Sequence, residues 1–193
     1  MTTSTNVASG KPLATGGILI APLGTVMPID LSTALNASFA KAGYIAEDGV
    51  TEAFERTTEK VKAWGGKTVK VMQSEHSLIF SFTFIESFNA VVLKSIYGDE
   101  NVTVTAATAT TGAVYKVLVT DEDLPHNAYV FEIKDGDARI RIAGADGLIM
   151  SVGEITYVDA ELISYPVTVE FFDDENGVKA IKYLSDGVFS GTV

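Results

Sequence analysis

Two histidines, His76 in Ser-Glu-His-Ser and His126 in Asp-Leu-Pro-His-Asn, are the side chains of this 193-residue sequence best suited to proton transfer or metal ligation near neutral pH. Neither has a second ligand three or four residues away, and neither sits in a spacing that pairs a nucleophile with its base. Both read as surface or turn histidines. The runs Asp121-Glu122-Asp123 and Asp173-Asp174-Glu175-Asn176-Gly177 offer the oxygen ligands calcium prefers, but without the alternating spacing and terminal glutamate of an EF-hand loop, so they read as solvated turns. No GxxxxGK, no GxGxxG opening a helix and no GxSxG occurs, so nucleotide binding and α/β-hydrolase chemistry have no local support. Carboxylates distant in sequence can still meet as a catalytic pair in space, which a sequence by itself does not exclude. The expectation is no enzyme, no metal and no cofactor.

Charge narrows the partners. Twenty-five acidic against 14 basic residues leave a formal net charge of -11, the wrong sign for gripping phosphates through counterion release. With no cysteine, neither a disulfide framework nor a thiolate metal site can form, and the chain needs no oxidising compartment. The start, Met-Thr-Thr-Ser-Thr-Asn, lacks a basic stretch followed by an apolar block, and no apolar run approaches 18 residues, so neither a signal peptide nor a membrane-spanning helix is expected. Asn36-Ala-Ser and Asn101-Val-Thr then read as chance matches to a glycosylation pattern. At 47% hydrophobic and 20% charged residues, the body is expected to fold as one domain.

The elements that would position any site are mostly strands. Leu78, Phe80, Phe82 and Phe84 alternate with Ile79, Ser81 and Thr83 in the clearest strand of the sequence. Gly17 to Ala21, Tyr129/Phe131/Ile133, Ile140/Ile142 against Arg139/Arg141, and Val167/Val169/Phe171 against Thr168/Glu170 repeat the pattern. Asp135-Gly136, Asp146-Gly147 and Asn176-Gly177 read as hairpin punctuation, and Pro166 marks an edge strand or the first residues of a strand. One helix is predicted over Asn89 to Tyr97, capped in front and closed by Gly98. Residues 1–15, rich in Ser, Thr, Gly and Ala, read as a flexible N-terminal arm ahead of a single domain over 16–193. The fold class is mainly β, a sandwich or barrel with one short helix.

Residues 47–64 are ambiguous. Val50, Phe54, Thr57, Val61 and Trp64 recur at helical steps, yet five β-branched residues and Gly49 oppose a helix, and the reading favours a long, partly extended loop. Trp64, the only tryptophan, is expected to anchor the base of that loop, with Gly65-Gly66 permitting a sharp turn into a strand over Lys67 to Gln73. A plain core tryptophan is the alternative.

The pieces "GILIAPLGT" (17–25), "AGYIAEDGVTE" (42–52), "VKAWGG" (61–66), "FTFIESFNAVVLKSIYGDENVT" (82–103) and "GEITYVDAELISYPVTVEFFDDENG" (153–177) occur in that order. Together they resemble the major tail protein, the tail-tube subunit of long, non-contractile-tailed bacteriophages, with most similarity to those of actinobacterial phages and prophages. The resemblance implies a tail-tube fold of sandwich-like sheets with a flanking helix, hexameric rings stacked into a hollow tube, and duplex DNA passing through the lumen without specific binding. It implies as partners further copies of the chain, the terminator, tape measure and tail-tip proteins, no membrane, and a place in the virion after assembly in the host cytoplasm. It also implies that the 47–66 loop reaches a neighbouring subunit, with Asp48, Glu52, Phe54, Glu55, Arg56, Glu59, Lys60, Lys62, Trp64, Gly65 and Gly66 as the candidate interface residues. An acidic lumen, and an arm that orders only in the tube, are further expectations. A tube subunit of a contractile tail or secretion apparatus, and a β-sandwich module binding carbohydrate or another small ligand, remain the alternatives. A neighbouring sheath gene would favour the first, and a stable monomer by light scattering the second.

Overall fold

Leu78, Phe80, Phe82 and Phe84 are all buried while the residues between them are half-exposed, so the alternation read from sequence is the alternation of one strand with a core side and an outer side. The computed structural model describes residues 7–13 and 16–188. Among these the chain order is β1 (Ile18–Pro22), β2 (Ala40–Lys41), β3 (Ile45–Lys62), β4 (Thr68–Phe84), α1 (Ala90–Tyr97), β5 (Val102–Thr105), β6 (Val114–Val117), β7 (Asn127–Asp135), β8 (Ala138–Val152), β9 (Tyr165–Phe171) and β10 (Ile181–Ser185). The protein is mainly β, with antiparallel sheets and this one helix, as its sequence predicts.

The strands follow the path β2-β1-β7-β8-β9-β4-β3, with β10 also paired to β8, while β5 and β6 form a separate small sheet. β8 carries two partners on one edge: β10 along Arg139 to Ala143 and β9 along Gly147 to Val152. β4 and β7 are not hydrogen-bonded neighbours, yet Phe80 stacks on Phe131 at 4.8 Å between ring centres and Phe82 meets Phe131 at 5.8 Å. The sheet therefore folds back on itself, and its Phe-rich inner side forms the main core with Tyr129, Phe171, Val169 and Ile18.

Two glycines allow that closure. A Cβ on Gly144 would lie 2.4 Å from the Phe171 ring, and one on Gly147 2.6 Å from it. The Asp146-Gly147 pair is thus no hairpin, contrary to the sequence reading. β8 runs straight through it, and the glycine supplies room for an aromatic ring rather than a turn. Asp135-Gly136 is a turn, with Gly136 at φ 61° between β7 and β8. Pro166 is not on an edge strand either, since β9 lies between β8 and β4. As the second residue of β9 it sits where the ladder begins.

The helix begins where its cap dictates. The Asn89 side chain accepts from the Val91 N–H at 2.9 Å, and the Gly98 N–H, at φ 93°, donates to the Lys94 carbonyl at 2.8 Å. Val92, Leu93 and Ile96 face the main core.

The Arg139/Arg141 side of β8 departs from expectation. Arg141 is buried, because the 23–39 connection covers that face and packs Phe39, Leu35 and Met27 on Leu19, Ala21, Val130 and Ala143. Its guanidinium donates to Glu132 Oε1 at 2.6 Å and to the carbonyls of Asp30 and Thr33 at 2.6 and 2.9 Å. Of the predicted arm, residues 1–6 and 14–15 lie outside the described residues. Between them, the Leu13 N–H donates to the Glu132 carbonyl at 3.0 Å and the Lys134 N–H to the Lys11 carbonyl at 2.8 Å.

Candidate functional site

β3 and β4 outgrow the sheet. β9 is the other partner of β4 and ends at Phe171 opposite Leu78; beyond that point β3 and β4 pair only with each other, from Glu55↔Ser77 out to Lys62↔Thr68. At about 3.4 Å per residue, the stretch from Glu55 to Lys62 projects roughly 25 Å from the body. Every residue from Phe54 to Glu75 is exposed. The segment read as a long loop is therefore a strand of a hairpin ribbon, and the helical reading fails with it.

The ribbon tip is a tight turn. The Gly66 N–H donates to the Ala63 carbonyl at 2.9 Å, the Ala63 N–H donates to the Lys67 carbonyl at 2.8 Å, and Gly65 and Gly66 take φ of 94° and 85° that a side chain would resist. Trp64 sits on this turn at 106% relative exposure. It anchors no base and fills no core, so both sequence readings of Trp64 are corrected: the indole stands at the far end of the ribbon.

Register explains the ribbon's chemistry. Val71 lies opposite Lys60, Met72 opposite Glu59 and Val61 opposite Lys70, so apolar side chains occur on both faces. Five of the chain's 14 basic residues (Arg56, Lys60, Lys62, Lys67, Lys70) lie between Glu55 and Glu75, against three of its 25 acids. That stretch carries a net +2 in a chain of -11, which leaves -13 on the rest.

The ribbon leaves the body at a braced root. Lys182 of β10 reaches Glu52 Oε2 at 2.5 Å and lies 5.1 Å from the Phe54 ring centre, while Phe54 stacks on His76 at 6.5 Å. A register shift between Thr57 and Thr58 follows, with Ser74 Oγ donating to the Thr57 carbonyl at 3.2 Å. Of the predicted interface residues, Glu52 and Phe54 thus belong to the root and Glu55, Arg56, Glu59, Lys60, Lys62, Trp64, Gly65 and Gly66 to the projecting part, while Asp48 lies back along β3 in the irregularity between Ile45 and Val50. Lys182 was not foreseen, and no local signal in its strand points to it.

Elsewhere, His126 is not isolated: its Nδ1 lies 2.5 Å from Asp146 Oδ1 and its ring 5.3 Å from that of Phe172. A His–Asp pair is part of a nucleophilic triad, but no hydroxyl is hydrogen-bonded to it among the described residues. No group of three or more His, Cys, Asp or Glu is arranged for a metal among the described residues. A cavity of about 360 Å³ between Leu13, Lys41, Tyr44 and Glu86 has one aromatic side chain in its lining, and its Glu86 carboxylate is occupied by the Tyr44 N–H and by Asn89.

The sequence model of a family described as "Phage tail tube protein" matches residues 10–192. No curated protein matches the chain. Among solved structures, the chain is similar to one described as an extracellular contractile injection system, PVC sheath-tube complex in extended state, at 6% identity and a TM-score of 0.45, covering 96% of this chain and 100% of that one. It is also similar to one described as the anti-feeding prophage cap, the AFP tube terminating cap, at 8% identity and a TM-score of 0.44 with the same coverage.

Proposed function

This chain belongs to the phage tail tube protein family, and we propose that it polymerises as stacked hexameric rings into the hollow, non-contractile tail tube through which phage DNA reaches the host. Membership makes it a structural component of the virion and a tube-forming subunit. The observation that carries the self-assembly reading is the projecting ribbon. A two-stranded hairpin free of a third strand is marginal in water, and this one also exposes Trp64, Val69, Val71 and Met72. Such a ribbon gains a partner when a second copy supplies one. The eleven residues from Asp48 to Gly66 named above are then subunit contacts, and residues 1–15 an N-terminal arm, its Lys11 to Leu13 stretch already paired with β7, ahead of the 16–193 tube domain.

Sheet closure between subunits would also remove the exposed outer edge of β3. The same proposal places terminator, tape measure and tail-tip proteins at the tube ends and duplex DNA in an acidic lumen. The non-contractile assignment rests on the sequence pieces quoted above. Electron microscopy of the purified, concentrated protein tests the whole: the expected result is hollow rods with six-fold end views. A species that light scattering holds at 20.5 kDa at every concentration would sink the proposal and favour a ligand-binding module.

A further inference from the structure

We infer that the basic ribbon of one copy seats on the acidic β8–β9 connection, residues 153–164, of the next copy. The inference rests on the self-assembly reading above and names the receiving surface. That connection carries Glu154, Asp159 and Glu161 with no basic residue, and all three carboxylates are exposed. It also exposes Tyr157, Val158 and Leu162. The ribbon offers the converse, lysines interleaved with Trp64, Val69, Val71 and Met72, so the two surfaces match in charge and in apolar content.

The connection is also held in shape. Ile155 and Ile163 pack on the main core, and Ser87 Oγ donates to the Ile163 carbonyl at 3.2 Å. It is a preformed surface, which lowers the ordering cost of docking.

Topology decides that the occupant is another copy. Tyr165, the first residue after the connection, pairs with Phe84, the last residue of β4, whereas the ribbon tip precedes Thr68, its first. The two surfaces therefore lie at opposite ends of a 17-residue strand, roughly 50 Å apart. A ribbon that points away along its own strand cannot fold back onto its own connection. Contact between opposite ends of two copies is heterologous, and heterologous contacts propagate.

Another acidic turn, Asp173 to Glu175, is less suited to receive it. It follows Phe171, which pairs with Leu78 at the ribbon's root, so it lies at the ribbon's own end. Asp174 Oδ1 already accepts from the Asn176 and Val178 N–H groups, and Asp173 lies 3.7 Å from Lys179.

Because the chain has no cysteine, single-cysteine variants give an unambiguous test. Mixing Ala63→Cys, beside Trp64 on the exposed tip, with Val158→Cys under tube-forming conditions and oxidising should give covalent dimer about tenfold or more above a mixture of Ala63→Cys with Asp174→Cys, since seating raises the local thiol concentration. In parallel, reversing Lys60, Lys62 and Lys67 to Glu should slow tube growth about tenfold or more at low salt. Adding Glu154→Lys, Asp159→Lys and Glu161→Lys in the same chain should restore it. All six positions are exposed, so circular dichroism and melting should match the unsubstituted protein. Tubes that form while Ala63→Cys links to Asp174→Cys as readily as to Val158→Cys would overturn this inference and leave the tube-subunit role standing. Failure of the unsubstituted protein to assemble at all would overturn that role first.

Discussion

Glycine has two unrelated uses in this chain, and a methyl group is unfavourable at each for a different reason. Gly136 is a conformational glycine, at φ 61° with nothing near its missing side chain, whereas Gly144 is a spatial one, pressed by the Phe171 ring. Gly144→Ala should therefore act as overpacking and lower stability by about 1–3 kcal/mol, visible as a fall in melting temperature of the monomer. An unchanged melt would mean that Phe171 has room to move and that the close approach is not a constraint. Trp64 is the opposite case, a large ring that buries nothing in its own subunit. Trp64→Leu should leave monomer stability within about 0.5 kcal/mol while tube formation weakens. If the monomer and the assembly lost stability together, the indole would have to be packed within the subunit, against the geometry seen.

At the level of elements, the 23–39 connection behaves as a clamped cover. Arg141 holds it through the Asp30 and Thr33 carbonyls, and Tyr183 through its hydroxyl on the Pro28 carbonyl at 3.2 Å. The bend is set from within by Asp30, whose carboxylate accepts from the hydroxyl and N–H of Thr33 and from Ser32. These donors, the Thr33 hydroxyl foremost, bring the Asp30 pKa from 3.8 down to about 2. A depressed carboxylate stabilises the fold above its unfolded value and loses that contribution as pH falls through its folded one. The cover should therefore loosen as pH falls from about 4 to about 2, read as a loss of amide-exchange protection at Thr33 relative to its intrinsic rate, and Asp30→Asn should flatten that response. Equal acid sensitivity in the Asn variant would assign the transition to other carboxylates. The ribbon contrasts with this cover, because its clamp, Lys182 on Glu52 and Phe54, acts only at the root and leaves the rest without support from the body.

Over the whole molecule, charge is segregated: a positive ribbon extends from a body carrying the remaining -13. On the proposed function, a body of that sign would suit the wall of a DNA conduit, since a basic one would hold phosphates. The soluble subunit should accordingly bind duplex DNA no more tightly than about 1 µM at physiological salt. Sub-micromolar, steeply salt-dependent binding in a filter or anisotropy assay would count against a passive lumen. On the proposed docking the ribbon's positive charge meets the acidic connection of another copy, and raising ionic strength should then slow the encounter of subunits rather than unfold them.

How much of this was legible depends on whether a segment has an inside and an outside. β4 from Leu78 to Phe84, β9 and α1 could be read residue by residue, because one-sided burial imposes alternation or a helical stripe, and Asn89 and Gly98 mark the helix ends with local hydrogen bonds. The outgoing half of the ribbon could not, because a strand with solvent on both faces has no reason to alternate, whereas its return was read correctly as a strand over Lys67 to Gln73. Its β-branched Val50, Thr51, Thr57, Thr58 and Val61 were the one signal of extended structure. Arg141 was misread for the complementary reason: an outward residue on a sheet becomes buried when a connection more than a hundred positions away closes over it, and alternation carries no record of that cover. Asp146-Gly147 looks like any turn dipeptide until the Phe171 ring is placed against it. The sequence by itself determined the β-rich class, the helix and its caps, and the aromatic core positions, all of which follow from local periodicity and local hydrogen bonding. Only the tertiary structure decided that Trp64 stands at a free tip, that Arg141 is a buried clamp, and that the ribbon and the acidic connection face opposite ends. Those facts depend on which distant segments share a sheet and how far each outruns its neighbours.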